Sequence, residues 1–121
     1  MSDLNIYLQT VEGLVTGATK GFMAKLDHMT FKMVINGLKG EDYQAVSIVI
    51  DQLVKEHRPV SIPPLYVVAQ KHPNPRIREK ALVALNTLDK EKQVEKLTAG
   101  KSMQDAVKSL VEHFGNFKQS P

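Results

Sequence analysis

SIPPLYVVAQKHPNPRIREKALVALNTL, residues 61–88, is the stretch of sequence that decides the fold of this chain. It predicts two helices joined by a sharp turn. Ser61 caps the first helix, whose first turn holds two prolines that need no N–H partner there. This helix must end before Pro73, because the residue ahead of a proline avoids the α region. Asn74 caps the second helix and Pro75 takes its first position, which completes a helical hairpin.

The rest of the sequence predicts further helices and no strand, so we expect an all-α fold of about seven helices. Apolar residues at alternating steps of four and three indicate a long first helix over residues 4–26. The third helix is apolar around half of its circumference, so we expect it to lie centrally. Residues 1–114 are predicted to form one helical domain, and residues 115–121 a flexible C-terminal tail. The second predicted helix follows Thr30 and ends at Gly40. Three others cover residues 42–56, 90–99 and 102–114.

The sequence also repeats itself weakly at a spacing of 32 residues. With this shift, Lys39-Gly40 falls on Lys71-His72, and the apolar positions of the helix over 42–56 fall on those over 75–88. Helical hairpins that recur at this spacing are typical of solenoids. A helical bundle whose hairpins have matching lengths is the alternative, and the sequence favours neither.

Residues 77–85, IREKALVAL, resemble the V-R-x-x-A-x-x-A-L pattern of HEAT-type helical repeats, including the kind found in phycobilisome-lyase-related proteins. The resemblance covers residues 61–88 and is weaker over 31–88. Asn74 replaces the aspartate of the family's turn. The resemblance implies a small right-handed stack of antiparallel hairpins and a scaffolding, adaptor or assembly role. Lyase activity is not implied, because no residue set here matches a catalytic motif.

Composition limits the class of protein. The chain has 121 residues, of which 42% are hydrophobic and 24% charged, as in ordinary soluble globular proteins. No apolar run approaches the roughly 20 residues that span a bilayer, and the first residues lack the pattern of a secretory signal. Cysteine is absent, which is compatible with a reducing cytoplasm. We therefore expect a cytoplasmic protein with no membrane span.

The excess positive charge is confined to residues 71–80, KHPNPRIREK, where four cations face a single glutamate. This segment accounts for the whole formal net charge of +3. At 100° per residue, Arg76, Lys80 and Val83 share a face of the second hairpin helix away from its apolar stripe. We predict a partner-binding surface formed by Lys71, His72, Arg76, Lys80 and Val83.

Three interpretations of this surface follow. The first is that it binds another protein that carries an acidic patch. The second is that the Lys71–Lys80 cluster binds the backbone of a nucleic acid, although no aromatic residues interleave with the cations. The third is that neighbouring helices cover Val83 and that the cations are merely solvated.

Three glycines at four-residue spacing in the first predicted helix indicate a second surface. Each costs about 1 kcal/mol relative to alanine in a helix interior, so their alignment suggests a packing role. Small residues allow another helix to approach closely, either from a second copy of the chain or from within it. A break in this helix is a further alternative. The helix-packing or self-association strip consists of Ile6, Thr10, Gly13, Leu14, Gly17 and Gly21.

No motif indicates catalysis, a cofactor or a metal. The sequence has no G-x-S-x-G, no P-loop and no G-x-G-x-x-G. Its four histidines are scattered, with no H-x-x-x-H pair, so we expect them to be surface or cap residues. We therefore predict that the protein is not an enzyme and needs no cofactor. We expect an adaptor, assembly factor or regulatory subunit that binds another protein.

Overall fold

The computed structural model describes residues 3–18 and 31–114, with side chains described for 3–15 and 31–114. Every regular element within these ranges is helical, so the predicted all-α fold is confirmed. Among the described helices, none combines the length and apolar content that a bilayer span requires. The helices are α1 (Asp3–Ala18), α2 (31–38), α3 (Tyr43–Glu56), α4 (Ile62–Lys71), α5 (Pro75–Leu88), α6 (Gln93–Thr98) and α7 (Met103–Phe114), with a 3-10 turn at Pro59–Ser61.

The core forms where these helices bury their apolar stripes against one another. The stripe of α1 is buried as far as its described side chains extend, and residues 19–26 of the predicted first helix lie outside the described residues. The buried residues of α1 are Leu4, Leu8, Val11 and Val15, and those of α5 are Ile77, Ala81, Ala84 and Leu85.

The central helix is α4, and the prediction that the third helix would hold this place is wrong. In α4, six of the ten residues are buried, and the helix packs against α1, α5 and α7. In α3, by contrast, Val46, Ile50 and Leu53 are buried while Ile48 is 69% exposed. The short, almost wholly apolar segment IPPLYVV is therefore the part of the chain that α1, α5 and α7 surround.

Local cap chemistry sets the starts of α3, α5 and α7, and the cap at Asn74 is the one that the sequence predicts for α5. The Asn74 carboxamide oxygen accepts a 2.9 Å hydrogen bond from the N–H of Arg76, and Asp42 accepts from Ala45 at the start of α3. Ser102 likewise accepts a 3.2 Å hydrogen bond from a backbone N–H in the first turn of α7. These boundaries depend on three or four neighbouring residues, which is why the sequence alone predicts them.

Two predicted helix starts are wrong. Ser61 makes no side-chain cap hydrogen bond, because the 3-10 turn at Pro59–Ser61 runs directly into α4 and leaves Ser61 in a helical conformation. The helix predicted over 90–99 begins only at Gln93. Its start is delayed because the buried carboxylate of Asp89 accepts the backbone N–H groups of Gln93 and Val94 at 2.8 and 3.0 Å.

The hairpin of α2 and α3 lies beside the hairpin of α4 and α5, but a third hairpin, formed by α6 and α7, does not continue the row. The helices α3 and α5 pack together, as the repeat spacing of 32 residues predicts for equivalent helices. The third hairpin turns back instead, and α7 packs against both α1 and α4. The described helices thus fit a hairpin stack that closes as a bundle, and a regular solenoid is not confirmed.

Candidate interaction surface

The turn between α4 and α5 is built around His72, whose side chain is only 1% exposed. Its Nδ1 accepts a 3.0 Å hydrogen bond from the N–H of Asn74. The other ring nitrogen, Nε2, therefore carries the proton and donates to the carbonyl oxygen of Gly40 at 2.9 Å. The guanidinium of Arg78 donates to the carbonyl oxygen of His72 at 2.7 Å. One imidazole thus joins the turns of two successive hairpins.

The prediction that His72 lies on the partner-binding surface is wrong. Both ring nitrogens have partners within the chain, and burial removes the ring from contact with solvent. The sequence did contain a signal for this contact, because the shift by 32 residues superimposes Gly40 on His72. The two positions that the repeat makes equivalent are the two that touch.

The remaining predicted cations are engaged by residues of other helices. Lys71 Nζ lies 5.8 Å from the ring centroid of Tyr7 in α1, and the Lys71 side chain is half-buried. Lys80 Nζ lies 2.9 Å from a carboxylate oxygen of Asp51 in α3. These partners are distant in sequence, so inspection of residues 71–80 alone does not reveal them.

Arg76 is exposed and lies over an aromatic ring. Its Cζ is 4.1 Å from the ring centroid of Tyr43, the first residue of α3. Tyr43 is partly buried and packs against the core, so its ring offers the guanidinium an aromatic surface that the fold positions. Although no aromatic residue interleaves with the cations in sequence, the fold supplies Tyr43 from a neighbouring helix.

The side chain of Val83 is 61% exposed, which contradicts the interpretation that neighbouring helices cover it. Val83 lies within about 20° of Arg76 around α5 and about 60° from Lys80, on the side away from the buried stripe. On the neighbouring α3, Ile48 is 69% exposed, a residue that sequence reasoning missed. It lies one turn before Asp51 on α3.

Two contacts show that α3 and α5 run in the same direction. Arg76 meets Tyr43 near the start of both helices, and Lys80 meets Asp51 further along both. The two exposed aliphatic residues therefore lie on opposite sides of the Lys80–Asp51 ion pair. We call this surface the α3–α5 face; it consists of Tyr43, Ile48, Asp51, Arg76, Lys80 and Val83.

The glycine strip of α1 is only partly within the described side chains. Ile6 is 50% exposed, and a Cβ added at Gly13 would meet no atom within 4 Å, so no described part of the chain packs closely there. The hydroxyl of Thr10 donates to the carbonyl oxygen of Ile6, while Leu14 packs against the core. Gly17 lies in the last part of α1, and Gly21 lies outside the described residues.

A shallow cleft of about 280 Å³ lies between α4, α5 and α6. Its walls include Tyr66, Leu82 and Val94, and its polar lining includes Asp89. The Asp89 carboxylate is already used by the backbone of α6, so it is not placed to act on a molecule in the cleft. Within the described residues, no group of three or more His, Cys, Asp or Glu side chains could hold a metal ion.

Comparison of the chain with protein-family models, with curated proteins and with solved structures found no match. The resemblance of residues 61–88 to HEAT-type repeats thus stays a prediction from the residue pattern.

Proposed function

We propose that this protein is a non-catalytic protein-binding module, an adaptor, assembly factor or regulatory subunit, which binds its partner through the α3–α5 face. The observation that carries the proposal is the exposure of Val83, at 61%, in line with two cations on α5. Single exposed aliphatic residues are common on protein surfaces. Here Ile48 on α3, 69% exposed, adds a second such residue on the neighbouring helix. Apolar side chains beside arginine and tyrosine are typical of protein interfaces.

The charge on this face favours a partner with an acidic patch. Lys80 is held by Asp51, whereas the guanidinium of Arg76 is exposed over Tyr43. An acidic partner would meet a fixed positive charge next to apolar surface. We also propose that the protein acts in the cytoplasm, since its sequence contains no cysteine.

Nucleic-acid binding through the Lys71–Lys80 cluster is less well supported. Phosphate binding requires several cations that point to a common track along the backbone. Lys71 lies near Tyr7 on α1, Arg78 donates to the carbonyl oxygen of His72, and Lys80 is paired with α3. These three side chains make contacts within the chain, which leaves Arg76 as the exposed cation of the cluster.

The proposal is tested by replacing Val83 with aspartate and purifying the tagged protein from its native cell. Partners bound through the α3–α5 face should be lost, since the substitution places a charge in the apolar part of the interface. Met33→Asp is the matched control, because Met33 is also an exposed apolar residue but lies on α2 and outside both predicted surfaces. If Val83→Asp keeps every partner that the unaltered protein binds, the proposed surface is wrong.

Salt dependence separates the two kinds of partner. Binding to a nucleic-acid backbone should weaken steeply and log-linearly with salt concentration. A mixed apolar and charged protein interface should instead respond more strongly to Val83→Asp than to salt. The reverse result would favour the nucleic acid.

A further inference from the structure

We propose that Arg76, positioned over Tyr43, binds a carboxylate of an amphipathic helix that the partner lays along α5. This inference rests on the proposed function, since it assigns the chemistry of the partner at the α3–α5 face. It identifies a binding site of two residues from two helices, and it specifies what the occupant must present.

The guanidinium of Arg76 lies at the surface of the protein. Arg76 is exposed, its Cζ lies 4.1 Å from the Tyr43 centroid, and no carboxylate among the described residues is paired with it. A guanidinium has five N–H donors in a planar fork, and a carboxylate can accept two of them at once. Contact with the ring restricts the side chain, so less conformational entropy is lost when a ligand binds.

The charges around Arg76 favour an anionic ligand on one side of it. Arg76 is the second residue of the 14-residue helix α5, where the positive end of the helix dipole adds to its own charge. Glu79 is exposed one turn further along α5 and about 60° around the helix. A partner carboxylate is therefore favoured at Arg76 and disfavoured on the side of Glu79. The nearby carboxylate of Asp42 caps α3 through the N–H of Ala45.

Arg76 and Val83 lie two helical turns apart on one face of α5. Val83 comes seven residues after Arg76, which places it about 10.5 Å further along the axis and within about 20° of the same direction. A helix that lies along α5 would therefore need an Asp or Glu and an aliphatic residue two turns apart. Ile48 lies on α3, on the other side of the Lys80–Asp51 ion pair from Val83, so it is a separate exposed apolar residue. The occupant we infer is an acidic amphipathic helix.

The test uses the full chain and a synthetic helical peptide of about 15 residues with Glu and Leu seven positions apart. Nuclear magnetic resonance would follow the Nε–Hε signal of Arg76 and the methyl signals of Val83 during titration. Both should shift, and a peptide with Gln in place of the Glu should bind roughly tenfold more weakly. Equal affinity for the two peptides, or no shift at Arg76, would overturn the inference.

Variants of the protein separate this inference from the proposed function. Arg76→Lys keeps the charge but removes the fork, so affinity for the Glu peptide should fall about tenfold. Lys108→Gln removes an exposed charge from α7 and should change nothing. If Arg76→Lys binds the peptide normally while Val83→Asp loses its cellular partners, the binding surface stands and the carboxylate site is wrong. Displacement of the peptide by a short single-stranded oligonucleotide, with steep salt dependence, would assign Arg76 to phosphate instead.

Discussion

Replacement of His72 by phenylalanine should destabilise the fold by about 2–3 kcal/mol, because two hydrogen bonds are lost and a larger ring must fit into a buried site. The bond to the Gly40 carbonyl and the bond from the Asn74 N–H are 2.9 and 3.0 Å long, and both are partly buried. Each loss leaves a backbone group that water can reach only in part. For a chain of this size the Tm should fall by about 10 °C.

Urea unfolding followed by circular dichroism at 222 nm measures this change, and the m-value should stay constant because the surface exposed on unfolding is unchanged. His113→Phe provides the control, since His113 is exposed on α7 and its replacement should alter the free energy of unfolding by less than about 0.5 kcal/mol. Hydrogen exchange provides a local readout, because the Asn74 amide loses its acceptor and should exchange faster. An unchanged urea midpoint together with unchanged protection of Asn74 would refute the reasoning.

Further substitutions have effects that can be read from single contacts, each measured by the same urea titration. Gly13→Ala should stabilise the protein by about 0.5–1 kcal/mol, because the helix gains an alanine and its Cβ meets nothing within 4 Å. Gly37→Ala should instead destabilise by about 1 kcal/mol despite the same gain, since its Cβ would lie 2.8 Å from a stiff valine side chain of α3; a stabilised variant would mean that α2 can move away. Asp89→Ala should lower the free energy of unfolding by about 2 kcal/mol, because two backbone N–H groups at the start of α6 lose their acceptor; an unchanged free energy would contradict this role of the carboxylate. A double-mutant cycle between Lys80 and Asp51 should give a coupling under about 1 kcal/mol, because the Asp51 side chain is 68% exposed; a larger value would show that the pair organises the face.

The sequence predicts those features of the fold that depend on close neighbours. Asn74 and Asp42 act as caps because a short polar side chain reaches an N–H two or three residues away, and the pattern of residues is visible in the chain. The inward face of α5 can be predicted equally well from the sequence, because helical periodicity alone separates Ile77 and Ala81 from Arg76. Ser61 is the local exception, because the 3-10 turn ahead of it takes over the start of α4.

Less of the candidate site can be predicted from the sequence, because its contacts join residues that are far apart in the chain. A histidine in a turn is usually solvated, but His72 is buried, and a carbonyl oxygen 32 residues earlier accepts a hydrogen bond from its ring. The cations were visible as a charged segment, whereas Tyr43 and Asp51 could be assigned to Arg76 and Lys80 only once α3 and α5 were placed side by side. Exposure of Val83 likewise follows from the absence of a described helix over that face of α5.

The packing of α7 on α1 and α4 has a consequence for how this fold can form and change. In an open array of repeats, each unit touches only its neighbours, so an end unit can fray or be deleted at a local cost. Here the last described helix covers apolar surface on the first one and on the central α4. Until α7 has been synthesised, that surface on the nascent chain stays exposed to solvent and to other proteins. Unfolding should therefore be a single cooperative event, in which loss of the C-terminal helix exposes the core of the first one.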